Sequence, residues 1–73
     1  MSPAELRSAR KALRMSRLRL AMLSGVNEHT VLKAEQGRPI PEQRAAAIVA
    51  ALLHFQHLPP ATQAFETLSK QST

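Results

Sequence analysis

At 73 residues, with 44% hydrophobic and 21% charged side chains, the chain has the size and balance of one small folded domain rather than two. The absence of cysteine excludes disulfides, thiolate metal centres and cysteine nucleophiles. A net charge of +5, from ten Lys and Arg against five Glu, points toward a polyanionic partner.

Helix punctuation recurs along the chain, whereas strand signals do not. No segment alternates apolar and polar residues for long, and Phe55 and Phe65 are the two aromatics. Ser2-Pro3-Ala4-Glu5 reads as a capping box, with Ser2 as N-cap, Pro3 at the first helical position and Glu5 reaching back. The helix it starts presents Leu6, Ala9, Arg10 and Leu13 on one face. Ser16 is placed to cap a second helix that carries Leu20, Ala21 and Leu23 and stops at Gly25. Asn27 is placed to cap a third, running to Gln36 with Gly37 as its left-handed terminator.

Pro39 and Pro41 bracket a short loop, and Pro41 opens a fourth helix with Glu42 near its positive end. Ile48, Val49, Leu52 and Leu53 form the apolar stripe of that helix. Pro59-Pro60 break the chain again, and residues 61–69 predict a last short helix bearing Ala61, Phe65 and Leu68, with 70–73 a frayed tail. The pattern predicts an all-α fold: a compact bundle of four to five short helices forming one domain over residues 1–69.

The longest apolar run, Ala45 to Leu53, is far shorter than the roughly 20 residues of a membrane-spanning helix. Glu5, Arg7, Arg10 and Lys11 interrupt the N-terminus before a signal-peptide core can form. A soluble, cytoplasmic protein is expected.

The charge is unevenly placed. Arg7, Arg10, Lys11, Arg14, Arg17, Arg19, Lys33 and Arg38 face only Glu28 and Glu35 between residues 7 and 38, a local charge of +6, and the remainder carries −1. A basic N-terminal half suits a polyanion on one side, although a solvated basic face has the same composition.

The stretch from Leu20 to Gly37, LAMLSGVNEHTVLKAEQG, carries the functional signal. Ala21 allows close approach of helices, Gly25 permits a tight turn, Val26 fills the angle between two helices, and Val31 and Ala34 face inward. Asn27, Glu28, His29, Leu32, Lys33 and Gln36 are left on the outward face of the third helix. Two short helices crossing through a glycine-containing turn make a helix-turn-helix, whose second helix fits a major groove.

Here the chain resembles the phage repressor and Cro family of helix-turn-helix proteins, the XRE-type regulators, over roughly residues 5 to 53. The family pattern is similar to L-A-x-x-x-G-V-(S/N)-x-x-T-(I/V)-x-x-x-E-x-G. Leu20, Ala21, Gly25, Val26, Asn27, Thr30, Val31, Glu35 and Gly37 match it in register. The resemblance implies a lambda-repressor-like DNA-binding domain. It also implies a largely buried structural ion pair between Arg10 near the end of the first helix and Glu35 at the end of the third.

Arg17 stands where the family often has a phosphate-touching Gln, and Leu18 and Arg19 replace the usual acidic pair. Arginines in a first helical turn oppose the macrodipole, at roughly 0.3–1 kcal/mol each, and suit a phosphate at that helix end. Arg17 and Arg19 are therefore expected on the DNA backbone, together with Gln36 and Arg38 near the loop. Base reading falls by resemblance to Asn27, Glu28, His29, Thr30 and Lys33. Lys33 can donate to guanine O6 and N7, and Glu28 can accept from cytosine N4. His29 is a base contact, a phosphate contact or a plain exposed histidine, and Leu32 touches a thymine methyl or packs against Met15 or Leu18.

Leu53, Phe55, Leu58, Phe65 and Leu68 exceed what so small a core needs, so residues 53–68 are expected to form a two-fold dimer contact. A homodimer would hold two recognition helices about 34 Å apart, matching a palindromic operator in double-stranded DNA. The expected function is a homodimeric repressor, controlled by its own concentration, of a phage or mobile-element operon.

Rival classes find less support. There is no Asp, no Ser-His-carboxylate spacing and no phosphate loop, so no catalytic residue is assigned. Metal binding would have to use His29, His54 and His57, and the His54–His57 pair lacks a third ligand nearby, so no metal, cofactor or small-molecule ligand is expected. A membrane-active basic helix conflicts with the glycine turns. An antitoxin that binds DNA and masks a partner toxin shares this fold and remains the alternative.

Overall fold

The helix boundaries follow from local hydrogen bonds that the caps make possible. The computed structural model describes residues 1–63. In α1 (Pro3–Ala12) Ser2 Oγ accepts from the Glu5 N–H at 3.1 Å, and Glu5 Oε1 accepts from the Ser2 N–H at 3.1 Å. In α2 (Arg17–Ser24) Ser16 Oγ accepts from the Arg19 N–H, and in α3 (Glu28–Glu35) Asn27 Oδ1 accepts from the Thr30 N–H. Each contact satisfies a donor that a helix start leaves without an intrahelical partner. In α4 (Glu42–Gln56) Pro41 is the cap residue itself, one place outside the helix that the sequence has it opening, and it makes no side-chain cap bond.

The first three helices stop in the same way. Arg14, Gly25 and Gly37 each take a left-handed conformation, with φ of 55°, 73° and 74°. After α1 the Met15 N–H returns to Arg10 O at 3.2 Å and the Arg14 N–H to Lys11 O at 2.9 Å. After α3 the Arg38 N–H returns to Lys33 O at 2.9 Å and the Gly37 N–H to Ala34 O at 3.3 Å. These paired returns are the Schellman closure, which needs one left-handed residue just past the helix. After α2 the Val26 N–H reaches Ala21 O at 3.1 Å. Two of the three positions hold glycine. Arg14 occupies the third although its Cβ crowds the backbone there, at about 1–2 kcal/mol.

α2 packs against both α3 and α4, and α1 lies across α3 with a smaller contact on α4. The core comprises Leu6, Met15, Leu20, Ala21, Val31, Ile48, Leu52 and Phe55. Among the described residues the fold is all-helical, and no helix is long and apolar enough to cross a membrane.

Three packing details differ from the sequence expectation. Met15, with no assigned core role, is buried between the first two helices because both of its backbone polar groups are held by Arg10. On α4 the buried line is Ile48, Leu52 and Phe55, with Val49 half-buried and Leu53 exposed, so the stripe is rotated from the expected one. Phe55 is thereby a core residue at 2% exposure and not a dimer contact, because α4 turns it into the same cluster as Leu20, Ile48 and Leu52. Leu58, half-buried, packs against the same core.

Residues 60–63 begin another helical segment, and Gln63 Nε2 donates to Phe55 O and Leu58 O, both at 2.9 Å. That amide satisfies carbonyls at the end of α4, a role with no local signal in the sequence. Phe65, Leu68, the rest of the expected last helix and the 70–73 tail lie outside the described residues.

Arg14→Gly relieves that strain but gives the unfolded chain more freedom to lose, so it is expected to raise stability by about 0.5–1 kcal/mol, read as a melting temperature several degrees higher. An unchanged or lower melting temperature would contradict the strain at this position. Ser2 also holds the Glu5 carboxyl below its ordinary range, first through its backbone N–H and then through its hydroxyl. A lowered folded-state value contributes stability above the unfolded carboxylate range, which is lost as pH falls through the folded value. The melting-temperature gap between the native chain and Glu5→Ala should therefore narrow toward acid pH, and a constant gap would refute that contribution.

Candidate nucleic-acid interface

α3 packs against α1, α2 and α4. Val31 is fully buried, and Thr30 is buried beside it in the first turns. The end of the helix is held by Glu35, whose carboxylate receives Arg10 Nε at 2.5 Å and Arg10 Nη2 at 3.1 Å. The third guanidinium nitrogen, Nη1, donates to Met15 O at 2.8 Å. The Arg10 and Glu35 side chains are 8% and 4% exposed, so the pair is shielded from water. One planar guanidinium thus joins α1, the α1–α2 corner and α3. Lysine, with its single ammonium, cannot reproduce that fork.

What remains outward on α3 is short and polar. Glu28 and His29 are exposed in its first turn, with Asn27 exposed at the cap. Lys33 is half-buried one turn later, an arrangement in which a lysine lays its stem on the protein and keeps its ammonium in water. Leu32 is also half-buried. Gln36 and Arg38 are exposed beyond the helix, with Arg38 Nη1 donating to Gln36 Oε1 at 3.4 Å.

Two expected site residues are drawn inward instead. Thr30 is 6% exposed, and its hydroxyl donates to Asn27 Oδ1 at 2.9 Å. Its side chain is consumed by the cap, so it is scaffold and not a base reader. The same cap uses the Asn27 oxygen twice, for the Thr30 N–H and for its hydroxyl. The amide nitrogen is the part of the Asn27 side chain that the cap leaves unused.

Arg19 is the other departure. The sequence puts it on the DNA backbone, which calls for an exposed guanidinium, yet it is 8% exposed, and its Nε is buried with no hydrogen-bond partner. Arg17, two residues earlier, is half-buried, and Arg14 before it is exposed. Among the described residues no carboxylate pairs with Arg14, Arg17 or Arg19. Three arginines therefore surround the start of α2, where the helix dipole is itself positive, without an internal counter-charge. Such a concentration of unbalanced positive charge favours an external anion. Among the described residues no group of three or more His, Cys, Asp or Glu is placed to hold a metal ion.

Glu35→Ala strands the shielded Arg10 charge and should cost about 3–5 kcal/mol in urea unfolding. Replacing both partners with apolar residues of similar volume, Arg10→Met with Glu35→Leu, should cost clearly less. A single-variant loss below about 1 kcal/mol, the range of exposed pairs, would show that the bridge is solvated in solution. Comparison with protein-family models, with curated proteins and with solved structures found no match to this chain.

Proposed function

We propose that this chain is a sequence-specific, double-stranded DNA-binding transcriptional regulator of the cytoplasm, acting as a homodimeric autorepressor on a palindromic operator. The observation that carries this reading is the setting of α3. One side is locked into the core by Val31 and its end is tied by Glu35 to Arg10, while Glu28, His29 and Lys33 stay outward. An eight-residue helix presenting polar side chains from a rigid base suits a major groove, where a wrong rotamer or tilt would lose a base contact. The arginines around the start of α2 supply sequence-independent attraction for phosphates.

In this reading Lys33 donates to guanine O6 and N7 and Glu28 accepts from cytosine N4. Glu28 also repels phosphates in a wrong register, which sharpens selectivity. Arg17, Gln36 and Arg38 position the backbone. Dimer formation draws on Leu53, which is 43% exposed on α4.

An antitoxin that binds DNA while masking a toxin is the second reading. It is favoured by Leu18 and Met22, one turn apart on α2 and 54% and 61% exposed, an apolar pair that DNA does not need. A small toxin gene beside this one would favour it.

Fluorescence anisotropy against the duplex upstream of the chain's own gene, with a scrambled duplex in parallel, tests the main reading. Tight binding to the native duplex alone is expected, and equal salt-sensitive binding to both would reduce the chain to a basic surface. Within that assay Lys33→Ala should lose about 1–3 kcal/mol of discrimination at one base pair. Arg17→Ala should weaken all sequences alike and reduce the salt slope by about 1. Equal weakening by both variants on every sequence would overturn the assigned reading face. Sedimentation should show a dimer, alone or on the operator; a monomer under both conditions would remove the homodimer from the reading.

A further inference from the structure

The corner between α1 and α2 is built more rigidly than a four-residue connection requires, and it holds an arginine in a conformation that suits glycine. Met15 is pinned at both polar backbone groups: its N–H reaches Arg10 O at 3.2 Å, and its carbonyl receives Arg10 Nη1 at 2.8 Å. The Arg14 N–H returns to Lys11 O at 2.9 Å, and Ser16 Oγ caps α2 through the Arg19 N–H at 3.0 Å. With both flanks fixed, Arg14 is held at φ 55°. At the equivalent positions after α2 and α3 the chain uses Gly25 and Gly37, with φ of 73° and 74°. A left-handed residue thus ends three helices, and only the first carries a side chain.

That side chain has no task inside the protein. Arg14 is exposed, and among the described residues it makes no side-chain hydrogen bond or ion pair. A residue kept against its backbone preference, with no internal contact to account for it, is where an external one is sought. Its neighbours define the chemistry. Arg17 follows by three positions, and Arg19, whose Nε is buried without a partner, by five. The corner is also one guanidinium away from the outward-facing helix, because Arg10 holds Met15 O and the Glu35 carboxylate at once.

We infer that Arg14 is a DNA-backbone contact, gripping a phosphate beside the start of α2 from a rigid left-handed corner. The inference rests on the DNA-binding reading and adds to it a residue that sequence patterning did not single out. A fixed backbone lowers the entropy lost when the guanidinium settles on a phosphate, so the strained corner serves binding while lowering stability.

The test measures binding to a fluorescein-labelled, mixed-sequence duplex of about 20 base pairs, two helical turns, from 50 to 200 mM salt. Arg14→Gly removes the charge and the strain together, Arg14→Lys keeps both, and Arg44→Ala removes an exposed α4 charge as a control for net charge. Arg14→Gly should make the slope of log affinity against log salt shallower by about 0.9, so that the affinity lost across this range shrinks about 3.5-fold. Arg14→Lys and Arg44→Ala should keep the native slope. Equal slopes for the native chain and Arg14→Gly would overturn the contact and leave the DNA-binding reading standing. An equal drop in Arg44→Ala would also overturn it, by assigning the effect to net charge. A native chain without salt-dependent DNA binding would overturn both.

Discussion

A single guanidinium governs how the helices of this small domain meet. Arg10 forks onto both oxygens of Glu35 and spends its remaining nitrogen on Met15 O. Its own backbone carbonyl receives the Met15 N–H. The same residue therefore fixes where α1 ends, how the chain turns into α2 and where α3 lies. Shielded ion pairs are weak sources of net stability, because desolvation offsets much of the attraction. Their contribution here is geometric: an apolar pair of equal volume could fill the space, but it would not dictate one orientation. In the proposed DNA-binding role, a helix that places a few side chains against base edges needs that orientation more than it needs stability.

The consequences run outward from the clamp. With α3 tied at Glu35 and buried along Val31, the residues left for a partner are those of its first two turns. With Met15 fixed in the core, α2 begins at a defined point, and Arg14, Arg17 and Arg19 gather around that point without a carboxylate among the described residues to balance them. Mutual repulsion of these charges and their opposition to the helix dipole both lower stability. A domain of this size has little stability to lose. That the chain tolerates the cost is coherent with an anionic partner that relieves it.

Much of this was legible in the sequence because caps are local. Ser2, Ser16, Asn27, Gly25 and Gly37 announce helix ends through hydrogen bonds that span only a few residues, and the structure forms each of them. The residues that were not legible depend on distant partners or on strain. Met15 enters the core because Arg10 holds it there, and Gln63 reaches back to Phe55 O across eight positions. Phe55 looks like a spare aromatic until α2 is packed on α4. Arg14 hides its left-handed turn because no glycine marks it. Among the site residues, Glu28, His29, Gln36 and Arg38 are exposed as read, whereas Thr30 and Arg19 are drawn inward. Periodicity assigns a face but cannot show that a hydroxyl is committed to a neighbouring cap.

The central claim is that α3 and the start of α2 together form one DNA-binding face on a scaffold that does not rearrange. Amide chemical shifts of the isotope-labelled chain, followed through a titration with duplex DNA, test it residue by residue. The account predicts the largest changes over residues 14–19 and 27–33, with α4 residues 42–56 nearly unmoved. Changes concentrated on α4, or a spectrum that ignores DNA altogether, would contradict it.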